Sequence, residues 1–213
     1  MSDDALHAIA SQRRRSFWLK HLHRWHWISS GLALAGMLLF AATGITLNHA
    51  GSIAAEPVVA TRTVILPAAL RRAIAGEDEG KRPLPAAVAA ALSTALAVDL
   101  PAGRAAEWSA DELFLDLPRP GGDATLAIDR LTGEATYEAT DRGWISYLND
   151  LHKGRNAGDA WFWFIDVLAA AAIVFSITGL LLLQLHGRQR PATWPVVGFG
   201  LLLPVVIALL FIH

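Results

Sequence analysis

Histidine is the side chain here best suited to hold a redox metal, and four of the eight histidines stand at the ends of long apolar runs. His26 and His49 bracket the first run, while His152 precedes the second and His186 closes it. If those runs cross a membrane, each face receives two imidazoles, which is what a haem relay through the bilayer needs. Histidine also settles at lipid interfaces because one edge of the ring is polar, so position alone leaves an anchoring role open. His21 and His23 are alternative inner ligands or headgroup contacts, and His7 and His213 are read as incidental.

The elements that must position these rings are three apolar stretches. Trp27 to Leu47 carries no charge, Trp161 to Leu185 carries only Asp166, and Trp194 to Ile212 carries none. At about 1.5 Å per residue each can span a hydrocarbon core of roughly 30 Å, so three transmembrane helices are predicted. Seven of the eight tryptophans sit near the predicted ends, where indole prefers the headgroup layer. The first run is too long for the apolar part of a cleaved signal and reads as an uncleaved anchor. Arg13, Arg14, Arg15, Lys20 and Arg24 precede it, and Arg188 and Arg190 lie between the second and third runs, which puts both regions in the cytoplasm and the C-terminus in the periplasm. The expected layout is therefore a basic leader at 1–25, helices at 26–49, 161–186 and 194–213, and a link at 187–193. An exported α+β module occupies 50–143, followed by an interfacial helix and turn at 144–160.

Composition narrows the chemistry. With no cysteine, disulfides, iron–sulfur clusters, thiolate-ligated haem and covalently attached haem are excluded. Of the two methionines Met1 is the initiator and Met37 lies mid-helix, so a haem here would be b-type and held by histidine. A net charge of −1 and no basic patch outside the membrane flank argue against nucleic acid. The chain has no nucleotide-binding glycine loop, so electrons would come from a separate donor such as a quinol or a cytoplasmic reductase.

In the exported region Val58 to Leu66 reads as a strand, and Pro83 and Pro85 introduce a helix over Ala86 to Val98. Further strands are predicted at Ala105 to Trp108, Glu112 to Leu117, Ala124 to Asp129 and Glu134 to Glu138. The expected core is small, chiefly Leu113, Phe114, Leu115, Leu126, Ile128 and Leu131, so the module is expected to rest on the membrane ends or on a second copy of itself. Asp141 is placed to cap an amphipathic helix, Trp144 to Leu151, whose face of Trp144, Tyr147, Leu148 and Leu151 should lie on the bilayer and present His152.

An echo joins the first two membrane helices: Phe40-Ala41-Ala42-Thr43-Gly44 matches Phe175-Ser176-Ile177-Thr178-Gly179. Thr-Gly pairs also have a plainer use, since they let helix backbones approach closely. His26, Ser29 or Ser30, Ala33 and Gly36 share one face of the first helix. The pairs able to grip iron from different segments are His49 with His152 outside and His26 with His186 inside. The 23 residues from His26 to His49 correspond to about 34 Å of helix, a long step for an electron. Asp166 is costly in lipid and is read as a proton acceptor or as a structural partner of Lys153, Arg155, Asn48 or Thr46.

The order Arg24-x-His26, Thr43-Gly44, Asp129-x-x-Thr132-Gly133-Glu134, Leu151-His152-x-Gly154 and Thr178-Gly179 resembles the PepSY-associated transmembrane helix family, over Arg24 to His186. That resemblance implies an α-helical membrane protein with three transmembrane helices and a small α+β, PepSY-like periplasmic module between helices one and two. It also implies haem b, one or two per chain, with His26, His49, His152 and His186 as ligand positions. Members include inner-membrane reductases serving ferric siderophore uptake and proteins that accompany periplasmic flavin-carrying or iron-acquisition partners. The chain has three helices where the larger reductases usually have four or more, so the histidine arrangement is the transferable part. A non-redox anchor whose module binds or regulates a periplasmic partner is the competing reading, and a homodimer is allowed by both.

Overall fold

A computed structural model describes residues 3–53, 56–76, 79–101, 103–187 and 190–212, with the side chains of residues 3–6, 8, 10 and 186 outside the described residues. The elements run α1 (Asp3–Asn48), β1 (Val58–Ile65), α2 (Ala68–Arg71), β2 (Gly80–Pro83), α3 (Ala86–Leu96), β3 (Ala105–Trp108), β4 (Glu112–Asp116), β5 (Gly122–Asp129), β6 (Glu134–Asp141), α4 (Gly143–Lys153), α5 (Gly158–His186) and α6 (Thr193–Phe211). Two compact units emerge: Met1–Leu39 with Trp163–His213, and Phe40–Phe162.

Among the described residues three helical segments are long and apolar enough to cross a membrane: Ser11–Asn48, Gly158–Leu185 and Thr193–Phe211. The first, at 38 residues, far exceeds the roughly 20 that a bilayer core requires. Its surplus is the basic leader, which continues into the apolar part as one helix. In the helical unit Ser29 and Ala33 are buried on α1, and a Cβ at Gly36 would overlap Leu168 of α5. The expected small-residue face is thus a packing face. α6 buries none of its residues within the chain, so its whole circumference is an apolar surface suited to lipid.

The other unit carries a six-stranded antiparallel sheet in the order β1-β6-β5-β4-β3-β2. Alternation sets its two faces: Ala124, Leu126 and Ile128 of β5 and Leu113 and Leu115 of β4 point to one side. Val88, Leu92 and Leu96 of α3 complete that core with Ile74, Leu100 and Trp108. Proline at the N-cap of α3 fixes the backbone entering the helix, and Ala97 in the left-handed region ends it.

Two expected core residues fall elsewhere. Phe114 alternates to the opposite face and is 39% exposed, whereas Leu131 is 77% exposed because it lies in the β5–β6 turn. There Asp129 Oδ1 accepts the N–H groups of Leu131 and Thr132, both at 2.8 Å, and Gly133 turns the chain at φ +75°. The Asp-x-x-Thr-Gly motif therefore builds a hairpin. Sequence reading omitted β2 and α2, which carry little apolar periodicity, and stopped β6 three residues short.

At the end of the sheet α4 buries its polar residues, Asn149 and Asp150, while Trp144 and Tyr147 are exposed. Asp150 Oδ2 accepts the N–H of Gly121 in the β4–β5 hairpin at 2.9 Å, and Oδ1 accepts from Arg155 Nε at 2.9 Å. A Cβ at Gly121 would fall 2.8 Å from Tyr147 Cα, so the hairpin backbone sits directly on α4. Arg142, not Asp141, is the N-cap; Asp141 Oδ1 instead accepts the Gly143 N–H at 2.7 Å. Gly154 ends α4 in the left-handed region, φ +66°.

Candidate functional site

On an α-helix, positions i, i+3 and i+4 share a face, so a Phe-x-x-Thr-Gly run presents its ring, hydroxyl and bare backbone together. Both copies of that run hold a histidine. In the helical unit His26 of α1 stacks on Phe175 of α5, with ring centroids 4.8 Å apart and planes 17° from parallel. Its Nδ1 lies 3.0 Å from Thr178 Oγ1 and 3.2 Å from the Phe175 carbonyl. A Cβ at Gly179 would be 3.3 Å from His26 Cε1, so the missing side chain leaves a notch for the imidazole. Ser29 and Ser30 donate to the carbonyl of His26 at 3.1 and 2.6 Å, bracing the turn that carries it.

The second unit repeats the arrangement with the donor segments exchanged. His152 of α4 packs its ring 5.1 Å from that of Phe40, its Nδ1 lies 2.8 Å from Thr43 Oγ1, and a Cβ at Gly44 would be 3.4 Å from its Cε1. One turn further along α1, Thr46 donates to Asn149 Oδ1 at 3.0 Å, giving α4 a second attachment. Trp161 Nε1 donates to the Leu151 carbonyl at 2.9 Å from the other side.

The contacts of His26 fix its tautomer. A carbonyl can only accept, so His26 Nδ1 carries the hydrogen it shows to Phe175. Thr178 turns its own hydroxyl hydrogen to the Val174 carbonyl at 2.7 Å, which leaves its oxygen free to accept from His26. For His26 the neutral ring then holds its lone pair on Nε2, whereas the Thr43 hydroxyl, 2.8 Å from His152 Nδ1 and 3.2 Å from the Phe40 carbonyl, can donate to either. The His26 state is the one a haem-ligating or zinc-ligating histidine adopts, with its second nitrogen oriented by an oxygen acceptor.

His49 lies at the end of α1. It is exposed, and its Nδ1 lies 2.9 Å from the Ile45 carbonyl one turn back on its own helix, with no hydrogen bond or ring contact to His152 among the described residues. The carbonyl leaves its Nε2 with the lone pair as well. The imidazole of His186 lies outside the described residues, so its pairing with His26 rests on the sequence. His23 Nδ1 meets the Leu19 carbonyl at 2.8 Å, and His21 packs 4.2 Å from the Phe17 ring. Phe17, Trp18, His21, Leu22, Trp25 and Thr178 border an open hollow of about 370 Å³. Among the described residues no group of three or more His, Cys, Asp or Glu could hold a bare metal ion.

Asp166 is exposed on α5. Two of its expected partners are engaged elsewhere: Arg155 pairs with Asp150 at 2.5 Å, and Thr46 with Asn149. What the sequence reading missed is the role of the threonines. The Phe-x-x-Thr-Gly echo carries the signal, and the rings it holds come from the neighbouring segment.

The family model for PepSY_TM-like proteins matches residues 17–213, and the chain belongs to that family. With its three apolar spans it is a multi-pass membrane protein carrying a PepSY-like module. No curated protein and no solved structure matches the chain.

Proposed function

We propose that this is an inner-membrane b-type haem protein that passes electrons from the cytoplasmic side to a periplasmic acceptor, ferric iron in a chelate or a flavoprotein. The supporting observation is that Nδ1 of His26 and of His49 each faces a backbone carbonyl, which leaves Nε2 as the ligating atom, while Nδ1 of His152 is held by the Thr43 hydroxyl. His26, His49, His152 and His186 are the residues that would hold iron. A haem bound there would supply one-electron chemistry. The chain's own part is to orient imidazoles through Thr178 and Thr43, to cover the rings with Phe175 and Phe40, and to keep water out of the bundle. The N-terminus lies in the cytoplasm and the sheet module in the periplasm, following the basic flanks. Electrons arrive from a quinol or a reductase.

The purified protein from haem-replete cells tests this directly. A reducible Soret and α-band spectrum that weakens in His26→Ala and His152→Ala supports the reading. A colourless, well-folded protein rejects it. A second reading has one observation in its favour: each imidazole fills a glycine notch and satisfies a threonine, as a purely structural post would. On that reading the chain is a non-redox anchor whose module binds a periplasmic partner, and the same spectrum separates the two.

A further inference from the structure

The two edges of the sheet are built in different ways. β2 is a four-residue edge containing Lys81, Arg82 and Pro83, with Lys81 paired to Glu107 at 2.9 Å. Short length, charge and proline are the devices that keep an edge from pairing with another chain. β1 has neither the short length nor the proline. It runs eight residues, Val-Val-Ala-Thr-Arg-Thr-Val-Ile, and Val58, Val59 and Ile65 are 67, 54 and 73% exposed. Its one charge, Arg62, turns to the carbonyls of Leu96 and Ala97 at the end of α3, where a cation is favoured. Among the described residues β1 pairs only with β6, so its other side presents a row of backbone donors and acceptors.

We propose that this edge is the interface between two copies of the chain, with β1 pairing antiparallel to β1 of the partner subunit about a two-fold axis at Thr61. The argument for a second copy is self-complementarity. In an antiparallel pair formed about a two-fold axis normal to the sheet, facing residues project to the same side, so the axis must pass through a residue position and not between two. An axis at Arg62 would set two guanidinium groups opposite each other, which is destabilising. At Thr61 the facing pairs become Val58 with Val64, Val59 with Thr63 and Ala60 with Arg62, and Thr61 meets Thr61 of the partner subunit. Every pair but the one containing Ala60 is β-branched on both sides, the combination that suits a cross-strand contact. The contact is isologous and closes on itself, which consumes the open edge and stops growth at the dimer. The proposal is independent of whether haem binds.

The absence of cysteine makes the test clean, because any introduced thiol reports on its own position. The full chain in lipid nanodiscs or mild detergent is expected to be dimeric by light scattering. Thr61→Cys is expected to give a disulfide-linked dimer on oxidation, while Thr63→Cys and Lys81→Cys do not. Thr61→Lys, which sets like charges across the axis, is expected to abolish the dimer with an unchanged far-UV circular dichroism spectrum. A monomeric unsubstituted chain, a Thr61→Lys dimer, or cross-linking at position 63 or 81 in preference to 61 would overturn the assignment.

Discussion

His152 and Thr43 meet through a single atom pair, Nδ1 to Oγ1 at 2.8 Å, and that contact fastens the short helix α4 to α1. Thr43→Val keeps the shape and removes the hydroxyl, leaving a partly buried ring nitrogen without its partner. The expected cost is about 1–3 kcal/mol, the penalty for an unsatisfied polar group. Thr43→Ser restores the oxygen and most of the stability. Thermal unfolding in detergent, followed by tryptophan fluorescence, reads both variants.

The helix glycines at which backbones or rings approach closely are not equally tight. At Gly44 an added Cβ stands at ordinary contact distance from His152, whereas at Gly36 it would overlap Leu168. Gly44→Ala is therefore expected to be near neutral and Gly36→Ala to cost about 1–3 kcal/mol through overpacking. Gly179→Ala, 3.3 Å from His26, should fall between them. The ranking is measurable by midpoint shifts, and a Gly44→Ala variant less stable than Gly36→Ala would contradict the packing described.

Arg130 is a buried cation held by carbonyls. Its Nε donates to Ile74 at 2.9 Å, its two terminal nitrogens reach Gly76 and Ser109, and its guanidinium lies 5.4 Å from the centre of the Trp108 ring. Arg130→Met leaves those carbonyls short of donors and is expected to destabilise the sheet unit by roughly 1–3 kcal/mol. Arg130→Lys should not restore it, because an ammonium cannot reproduce the planar fork. Thermal unfolding followed by circular dichroism reads the loss.

The β5–β6 turn should respond to acid. The backbone N–H groups of Thr132 and Leu131 hold the Asp129 carboxyl below its ordinary value, Thr132 contributing most. A depressed folded value means the stabilisation is fully present above the unfolded pKa of about 3.9 and is lost as pH falls through the folded one. Asp129→Asn should flatten that part of the acid limb, as measured by unfolding midpoints between neutral pH and the onset of acid denaturation. An unchanged limb would show that the turn carboxylate does not govern it.

The bundle and the sheet were readable to different depths in the sequence, for physical reasons. Long uncharged runs bounded by tryptophan and arginine leave little choice but a membrane span, so the three apolar helices were evident. The alternation in Glu112–Asp116 and Gly122–Asp129 announced strands, but β2 has only Gly-Lys-Arg-Pro and depends on pairing with β3 for its existence. The histidine positions were evident and their partners were not. A ring can be referred to the nearest similar residue along the chain, yet it is the packing of α5 against α1 that gives Phe175 and Thr178 to His26.

The tie from Asp150 to Gly121 gives the sheet a mechanical route to an imidazole. A protein that grips the β4–β5 hairpin and pulls on it loads a carboxylate two residues from His152 on the same short helix, and the strain is delivered to the bond with Thr43.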